Sequence, residues 1–286
     1  ECTRSDIDEP VAIDEIKKFI ADLELNQETR FVPEKLYDFS HIKIGIIGSG
    51  PAGLSCAYYL AQRGYTITIF EKKQKLGGML TLGIPSFRIE KDVVEAEIDV
   101  LHQLGVEFKR GVEVGKDITL DELRAQGYKG FYIAIGAQAG RKLNIEGEDH
   151  EDVISGIDYL RDVNLGKDVK TEGNVVVIGG GNVSIDVART ALRTGAKTVN
   201  MFCLEGENEM PAQDEEVIEA KDEGVIVNNS CGPKRIIVED GKVKAVEFKR
   251  CVSVFDKDGK FNPKYDENDI KTVKADKVGL SIGQSI

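Results

Sequence analysis

The sequence predicts an α/β fold with parallel sheets, and three observations support this prediction. Short apolar runs typical of strands alternate with helical patterns along most of the chain. Two strand-to-helix transitions pass through glycine-rich turns, at residues 48–53 and 179–184. The stretches 41–71 and 174–205 repeat one order of elements: strand, glycine turn, helix, strand and carboxylate. We therefore predict two tandem α/β domains behind a short N-terminal helical segment.

Composition limits the classes of partner. The chain has 286 residues, of which 41% are hydrophobic, and a formal net charge of -12. This excess of acid argues against nucleic acid or an anionic membrane surface as a partner, because both require clustered Lys and Arg. No apolar run approaches the roughly 18 residues of a membrane span, and the N-terminus does not resemble a signal peptide. We expect a cytoplasmic protein with no membrane span.

The N-terminal helix is predicted from its apolar spacing. Residues 11–24 place Ile13, Ile16, Ile20 and Leu23 on one helical face, with charged side chains on the other. An amphipathic helix of this kind is expected to dock on another surface.

The first glycine turn, "GSGPAG", lies between a strand-like run at 42–47 and a helical pattern. In such a turn Gly48 allows the tight bend, Gly50 lets backbone N–H groups approach a diphosphate, and Gly53 allows close packing of helix on strand. Glu71 follows the next strand, "TITIF", 23 residues after Gly48. This spacing suits a carboxylate that binds a ribose diol, so the unit is predicted to be a Rossmann-like dinucleotide-binding unit.

The second turn carries the same pattern with one substitution. Gly179 and Gly181 are followed by Ser184, a small residue in place of the third glycine. Glu205 follows the next apolar run and is predicted to bond the free 2′-hydroxyl of NAD. The 2′-phosphate of NADP beside this carboxylate would cost up to about 4 kcal/mol at an effective dielectric constant of 20. The alternative is that Glu205 is a solvated loop residue in an acidic stretch.

Arg189 and Arg193 lie one helical turn apart on the helix after the second turn. They could reach toward a phosphate, although exposed arginines of a helix face are the simpler interpretation. The other predicted elements are a helix near 90–104, strands near 106–114 and at 130–136, a helix around 212–223, a strand at 225–229, and a hairpin at 235–248 whose turn is Asp240-Gly241.

The chain offers no motif for acid, base or metal catalysis. It contains neither a nucleophile-elbow pattern nor an HExxH pair, and its five cysteines form no CxxC pair. The chemistry must therefore come from cofactors. A nicotinamide beside a flavin allows hydride transfer into a carrier that can release electrons singly, so one of the two sites is expected to hold FAD.

Several motifs together resemble one known family. They are "GSGPAGLSCAYYLAQRGY", "FEKKQKLGGMLTLGIPSFRIEKDVV", "LGVEFKRGVEVGKDITLDEL", "YIAIGA" and "VVVIGGGNVSIDVARTALRTGA". In this order they resemble the glutamate synthase small-subunit (beta chain) family of FAD- and NAD(P)H-dependent electron-transfer oxidoreductases. That family is also similar to the pyridine-nucleotide part of dihydropyrimidine dehydrogenase and to subunits of bifurcating transhydrogenases.

The resemblance implies a role for each matching position. The FAD-binding positions would be Gly48, Gly50, Pro51, Ala52, Gly53, Glu71, Lys72, Gly78, Met79, Arg88, Val114, Gly136 and Gly283. Within this set, Gly78, Met79 and Arg88 would line the flavin, and Val114 would meet the adenine through its backbone. The NAD(P)H-binding positions would be Gly179, Gly181, Asn182, Val183, Ser184 and Glu205, with Met210 and Pro211 nearby.

Three departures from the family pattern matter. Members that use NADPH carry an Arg-Arg pair where this chain has Leu204-Glu205, which favours NAD(H) over NADP(H). Cys2 looks like a stranded iron-sulfur ligand, and a 4Fe-4S cluster is expected in a missing N-terminal region. The chain also stops at "VGLSIGQSI", before the Gly-Asp motif of the family. It is therefore expected to be a fragment truncated at both ends.

These inferences define one predicted architecture. Residues 1–40 would be a helical remnant of an iron-sulfur domain and a linker. The FAD-binding domain would comprise 41–145 and 272–286, and the NAD(P)-binding domain, 146–271, would be inserted in it. The predicted function is electron transfer from NADH or NADPH through FAD to iron-sulfur centres of an upstream domain or partner subunit. The alternatives are a nucleotide-binding scaffold or docking subunit, and a thioredoxin-reductase-like enzyme, which would require a CxxC pair.

Overall fold

The computed structural model describes residues 2–286. Its α-helices are α1 (Ile13–Leu25), α2 (Pro51–Gln62), α3 (Met79–Leu82), α4 (Lys91–Gln103), α5 (Leu120–Ala125), α6 (Gly156–Asn164), α7 (Asn182–Arg193) and α8 (Asp214–Asp222). Its strands are β1 (Phe39–Ile47), β2 (Tyr65–Glu71), β3 (Glu107–Arg110), β4 (Tyr128–Ile133), β5 (Ala139–Gly140), β6 (Val153–Ser155), β7 (Asn174–Ile178), β8 (Thr198–Phe202), β9 (Ile226–Asn228), β10 (Cys231–Glu239), β11 (Lys242–Phe255), β12 (Phe261–Lys274), β13 (Lys277–Leu280) and β14 (Gln284–Ser285).

The chain divides into two compact units. Unit 1 comprises the described residues up to Gly78 together with Ile89–Ile135, and unit 2 comprises Met79–Arg88 together with Gly136–Ile286. Unit 1 contains a parallel sheet of order β3-β2-β1-β4, and unit 2 contains a parallel sheet of order β6-β13-β7-β8-β9. The prediction of an α/β fold with two tandem parallel-sheet units is confirmed.

The core of unit 1 forms where helix α2 covers the sheet. The β-branched residues Ile46 and Ile69 are fully buried on neighbouring strands, where they lie directly opposite each other. The helix presents the small residues Ala57 and Ala61 to this core. Small side chains let the helix backbone approach the sheet closely, and this packing fixes the helix N-terminus directly after the first glycine turn.

Unit 2 adds a three-stranded antiparallel sheet, β10-β11-β12, to its parallel sheet. The two sheets share a core in which Phe202, from the end of β8, stacks on Phe248 of β11 with ring centroids 3.9 Å apart. The predicted hairpin is confirmed: Glu239 pairs with Lys242, and both Asp240 and Gly241 have positive φ. A two-residue hairpin loop requires this left-handed backbone, which Asp-Gly adopts readily.

The contact-based division differs from the predicted domain boundaries in two ways. Residues 272–286 belong to unit 2, because β13 inserts between β6 and β7 as a parallel strand. The segment Met79–Arg88 and residues 136–145 also belong to unit 2, although the sequence grouped both with the first dinucleotide unit.

Helix α1 matches the predicted helix but not the expected packing. Within residues 2–286 none of its side chains is buried, and the predicted apolar face stays at least half exposed to solvent. The described part of the chain therefore offers this face no partner. Within the same residues, no helix combines the length and apolar character needed to cross a membrane.

Candidate dinucleotide-binding sites

The first glycine turn has the geometry of a phosphate cradle. Gly48 has a φ of +103°, and a Cβ there would collide with the carbonyl oxygen of Ala134. A Cβ on Gly53 would collide with the Gly48 carbonyl oxygen, so helix α2 packs too closely for any side chain at this point. A Cβ on Gly50 would meet no atom within 4 Å. The backbone at Gly50 therefore faces open space at the N-terminus of α2, which is where a diphosphate would lie.

Within the described residues no side chain caps the start of α2, so the N–H groups of its first turn can bind an anion. Pro51, at the first helical position, has no N–H to lose and pre-organises the first turn. Pro51 and Ala52 are both exposed. The residues of this turn therefore fit an FAD diphosphate.

Glu71 is buried and holds the first turn together. One oxygen, Oε2, accepts hydrogen bonds from the Ser49 backbone N–H at 2.9 Å and from its hydroxyl at 2.7 Å. The other, Oε1, accepts from the Lys73 backbone N–H at 2.8 Å. A carboxylate has about four lone-pair positions, so a ribose hydroxyl can still be accommodated. The predicted ribose contact stays a prediction, as does that of the exposed Lys72.

Gly78 lies directly against the first turn. It has a φ of +55°, and a Cβ there would stand 2.7 Å from the Gly50 Cα. The preceding Gly77 donates its N–H to the Ser49 carbonyl at 3.1 Å. The two glycines of "GGML" thus support the turn from the side, in conformations that few other residues adopt.

Arg88 is held by acidic side chains of unit 2. Its guanidinium donates to the Asp186 carboxylate on α7 and, at 2.7 Å, to Glu216 on α8. Burial raises the pKa of Asp186 to about 6, although Arg88 opposes the shift. Met79, which begins α3, belongs to the same unit. The flavin-lining role predicted for Gly78, Met79 and Arg88 stays a prediction.

Two further predicted FAD positions lie in loops. Val114 forms a single parallel bridge to Ile118 and packs on a small cluster in unit 1. Gly136 has a φ of +67° and open space where a Cβ would project. Val114 is half-buried and Gly136 is exposed, and their contacts with FAD stay predictions.

The second glycine turn lines a cavity of about 380 Å³ in unit 2. The cavity wall contains six positions named by the sequence as a cofactor site: Gly179, Gly181, Asn182, Val183, Glu205 and Gly283. A Cβ on Gly181 would meet no atom within 4 Å, as at Gly50. The Ser281 hydroxyl at this cavity is buried and has no hydrogen-bond partner within residues 2–286. The open backbone and the unsatisfied hydroxyl fit a bound dinucleotide.

Ser184 takes the place of the third glycine without disturbing the turn. It is fully buried, and its hydroxyl donates to the Ser281 carbonyl at 3.3 Å. The serine therefore bonds to Ser281, which directly follows β13, whereas a glycine at this position could only pack there.

Glu205 lies beside the second turn. It is half-buried in the cavity wall, and a Cβ on Gly180 would stand 2.8 Å from its Oε2. Its backbone carbonyl accepts a hydrogen bond from the Ser230 N–H at 2.9 Å. The structure thus brings the predicted carboxylate to the predicted phosphate turn.

The segment after Glu205 closes over the turn. Pro211 lines the cavity, while Met210 packs on the core beneath it. The Ala212 N–H donates to the Gly180 carbonyl at 3.1 Å, and the Gln213 N–H donates to the Asn182 side-chain oxygen at 3.0 Å. Residues 212 and 213, which lie outside β7 and α7, thus hold the turn that leads from β7 into α7.

Arg189 and Arg193 are engaged by protein carboxylates. Arg189 is 7% exposed and binds Glu219 of α8 and Glu223 just after it, each at 2.6 Å, and Arg193 binds Glu223 at 2.7 Å. Both guanidinium groups also stack on Phe87. Both arginines thus pair with protein carboxylates, as the simpler interpretation of arginines on a helix face implies. Arg189 differs from that interpretation in being buried rather than exposed.

The sequence analysis did not predict four further residues that line the cavity. Cys203, Cys231, Pro233 and Phe261 all line it. Burial raises the pKa of the Cys203 thiol to about 12, with a further contribution from Glu205. These residues come from distant strands, and no local pattern in the sequence marks them.

Cys2 lies just before a 3-10 helix at Thr3–Asp6. Backbone N–H groups, chiefly of Val11, lower the pKa of its thiol. Among residues 2–286 no three His, Cys, Asp or Glu side chains come together in an arrangement able to hold a metal ion. The assignment of Cys2 as an iron-sulfur ligand stays a prediction.

Comparison with known families gives the same assignment as the two turns. Residues 42–286 match the family described as Pyridine nucleotide-disulphide oxidoreductase. The chain belongs to this family.

The matched proteins include subunits of larger enzymes. The chain is 40% identical over 272 residues to the NADP(+)-dependent formate dehydrogenase subunit beta of Moorella thermoacetica, which covers 87% of this chain and 38% of that protein. It is 34% identical over 294 residues to the glutamate synthase [NADPH] small chain of Halomonas elongata, which covers 99% of this chain and 62% of that protein. The resemblance inferred from the motifs is confirmed. The chain spans less than two thirds of the length of these relatives.

The fold also matches a solved structure. FprA from Mycobacterium tuberculosis, in complex with NADPH, superposes with a TM-score of 0.73 at 20% identity, over 85% of this chain and 71% of that chain. At this identity the likeness shows the fold alone.

Proposed function

We propose that this chain is an NAD(P)H-dependent FAD oxidoreductase of the glutamate-synthase-small-subunit kind, which passes electrons to iron-sulfur centres of an upstream domain or a partner subunit. One observation carries the proposal. In each unit a helix N-terminus follows a glycine turn whose middle glycine faces open space. Family membership supports the same conclusion.

The two turns have different ligands in this proposal. FAD would bind unit 1 through Gly48, Gly50, Gly53 and Glu71, which combine a helix N-terminus with a buried carboxylate. NAD(P)H would bind the unit 2 cavity through Gly179, Gly181 and Asn182, with Glu205 at the adenosine ribose. The predicted contacts of Gly78, Met79, Arg88, Val114, Gly136 and Gly283 with FAD belong to this proposal as well, although Gly283 lies in the wall of the unit 2 cavity that is assigned to NAD(P)H.

The chain contributes binding and orientation to the reaction. Bound FAD supplies hydride acceptance from the nicotinamide and release of single electrons. The residues of the two turns hold the phosphates, and Glu71 and Glu205 orient the sugars. The apolar cavity walls, among them Leu143, Ile157 and Ile282, exclude water around the bound nucleotide.

NADH is proposed as the preferred donor. This preference rests on Glu205, whose carboxylate stands within the cavity beside Gly180. The relatives named above carry NADP(+) or NADPH in their names. The preference is tested by measuring reduction of an artificial acceptor with NADH and NADPH side by side. Equal or faster rates with NADPH would overturn it, and changing Leu204-Glu205 to Arg-Arg should shift the preference toward NADPH.

The proposed electron acceptor follows from the chemistry of flavins. A flavin that receives a hydride and releases electrons singly suits an iron-sulfur acceptor. We propose that this acceptor, a 4Fe-4S cluster, lies on an upstream domain or partner subunit in the cytoplasm, with Cys2 as a ligand in the complete protein.

A visible spectrum of the purified chain, reconstituted with FAD, tests the central proposal. A flavin absorbance that bleaches anaerobically on addition of NADH or NADPH is the expected result. A chain that binds nucleotide but holds no flavin would support a nucleotide-binding scaffold instead, and the proposal would fail. A thioredoxin-reductase-like activity lacks support, because the sequence has no CxxC pair.

A further inference from the structure

We propose that Phe261 stacks on the adenine ring of the nucleotide bound in the unit 2 cavity. Phe261 lines this cavity, yet 65% of its surface is exposed to solvent. An apolar ring left in water at the mouth of a binding cavity gains burial when a planar ligand covers it. This inference rests on the proposed function, because it requires a dinucleotide at the second turn.

Phe261 directly follows a turn that is closed by its own hydrogen bonds. Strands β11 and β12 are joined at residues 256–260, where the Asp256 carboxylate accepts hydrogen bonds from the N–H groups of Asp258 and Lys260 at 2.9 and 3.0 Å. The Asp256 N–H donates to the Lys260 carbonyl at 2.9 Å. The loop is therefore closed by its own bonds, and Phe261 follows it directly.

A second exposed aromatic ring contacts Phe261. Phe255 lies opposite Phe261 in the strand pairing, and their rings meet edge to face with centroids 6.3 Å apart. Phe255 is 56% exposed but is not among the described residues that line the cavity. The pair therefore contains one ring at the cavity and one matched ring outside it.

The position of Phe261 in its sheet points to the adenine rather than the nicotinamide. A diphosphate at the N-terminus of α7 places the adenosine ribose on the β8 side, where Glu205 stands. Beyond Glu205 the wall is formed by Cys231 and Pro233 of β10, and the Cys231 N–H donates to the Cys203 carbonyl at 2.8 Å. Strand β10 belongs to the same three-stranded sheet as β12, which carries Phe261. This sheet therefore walls the adenosine side of the cavity.

The test measures nucleotide binding to the 286-residue chain by titration calorimetry. NAD⁺ and ADP-ribose are the probes, because ADP-ribose keeps the adenine and the diphosphate and lacks the nicotinamide. Base stacking on an aromatic ring contributes enough that Phe261→Ala should weaken binding of both probes by about fivefold or more. Phe261→Tyr should restore wild-type affinity, whereas Phe261→Leu, which keeps apolar bulk without an aromatic face, should not.

The matched control is Phe255→Ala, which removes the outer ring of the pair. It should leave both affinities within about twofold of wild type, since Phe255 does not line the cavity. Thermal unfolding of each variant reports whether the hairpin has kept its structure.

Three outcomes would overturn the inference. They are unchanged affinity in Phe261→Ala, an equal loss of affinity in Phe255→Ala, and weaker binding of NAD⁺ with normal binding of ADP-ribose. The third outcome would assign the ring to the nicotinamide. Failure of the proposed function is distinguishable, because in that case the wild-type chain would bind neither probe.

Discussion

The two glycine turns share one backbone plan and differ in how the following acid is used. The Gly48 N–H donates to the Phe70 carbonyl at 2.8 Å, and the Gly179 N–H donates to the Phe202 carbonyl at 2.9 Å. By these bonds Phe70 and Phe202 occupy equivalent places. The residue after Phe70 is Glu71, whereas the residue after Phe202 is Cys203.

This equivalence corrects the simple repeat drawn from the sequence. Glu205 does not occupy the place of Glu71, because it lies two residues further along the chain. Cys203 fills that place as a buried thiol, and its N–H and carbonyl are bonded to Asn228 and Cys231. The backbone at Cys203 therefore still pairs as a strand does, and Glu205 follows only after this pairing ends.

Glu71 and Glu205 therefore differ in burial and in the number of hydrogen bonds that their carboxylates accept from the protein. Glu71 is buried and accepts three hydrogen bonds from its own unit, so much of its contribution is to the stability of the turn. Glu205 is half-buried in a cavity wall, where it can act on ligand selectivity. The following predictions test this separation.

The largest effect is expected from exchanging the third residues of the two turns. Gly53→Ser would drive a side chain into the Gly48 carbonyl, so backbone must shift and the free energy of unfolding should fall by about 4 kcal/mol. The flavin bound per chain should fall with it. Ser184→Gly is the control; it removes one hydrogen bond and adds backbone freedom in α7, and together these should cost about 1–2 kcal/mol. Chemical denaturation measures both, and similar losses in the two variants would contradict the asymmetry.

The next effect separates the two ligands. Gly50→Ala and Gly181→Ala each place a methyl group in open space, at φ values of -69° and -96° that alanine adopts freely. Both proteins should keep their melting temperature. Gly50→Ala should lower FAD affinity by about 100-fold through lost hydrogen bonds to phosphate, with NAD⁺ affinity unchanged, and Gly181→Ala should do the reverse.

Calorimetric titration of each variant with FAD and NAD⁺ gives the answer. Loss of the same ligand in both variants would refute the assignment of one nucleotide to each turn. A lower melting temperature in either variant would show that the turn glycine serves packing and not ligand approach.

A smaller effect distinguishes the two acids. Glu71→Gln puts an amide where both Ser49 donors now bond to a carboxylate, and should lower the free energy of unfolding by about 2–3 kcal/mol. Glu205→Gln should leave stability within about 0.5 kcal/mol and reduce the ratio of NADH to NADPH turnover. Comparable destabilisation by the two substitutions would contradict the expectation that Glu71 stabilises its turn and Glu205 does not.

The smallest effect concerns the helices that follow the turns. Helix α2 buries only the small residues Gly53, Ala57 and Ala61, whereas α7 buries the ionisable Asp186. Burial raises the pKa of Asp186 from 3.8 to about 6, so between these pH values the folded chain binds more protons than the unfolded chain. Ionisation of Asp186 should therefore lower stability by about 1–2 kcal/mol as pH rises from 4 to 6.

The measurement for Asp186 is the free energy of unfolding against pH for wild type and Asp186→Asn. The difference between the two curves should change across this window in the direction given above, because asparagine cannot titrate. A constant difference, or one of opposite sign, would mean that the pairing with Arg88 outweighs burial.

Local patterns predicted the parts of the molecule that depend on nearby residues. The two turns, the helices behind them and the Asp240-Gly241 hairpin each follow from glycine positions and side-chain periodicity within short stretches. The same logic named Gly179, Gly181 and Glu205, which line one cavity, and the family resemblance added Asn182, Val183 and Gly283. Backbone conformation and helix N-termini are properties of short segments, which explains this success.

Long-range pairings could not be predicted in this way. The bond between Arg88 and Asp186 joins residues 98 positions apart, and β13 enters the unit 2 sheet between strands that precede it by far in the chain. The offset between Glu71 and Glu205 depends on how the chain pairs with β9 and β10, which no local spacing records. Phe261 reaches the cavity only through the antiparallel sheet of unit 2.

The segment Met79–Arg88 belongs to unit 2 but lies in the chain between the two segments of unit 1. This order limits how the two units can be separated. The chain passes between the two units at three peptide bonds, so no single proteolytic cut yields the two units as separate intact fragments. A shortened polypeptide starting at Gly136 would contain every strand of the unit 2 parallel sheet yet lack Phe87 and Arg88. Asp186 would then remain in its low-dielectric setting without its cation, and the two stacked arginines would lose their ring. Unit 2 is therefore not encoded by one continuous stretch, because ten of its residues, Met79–Arg88, lie between two segments of unit 1.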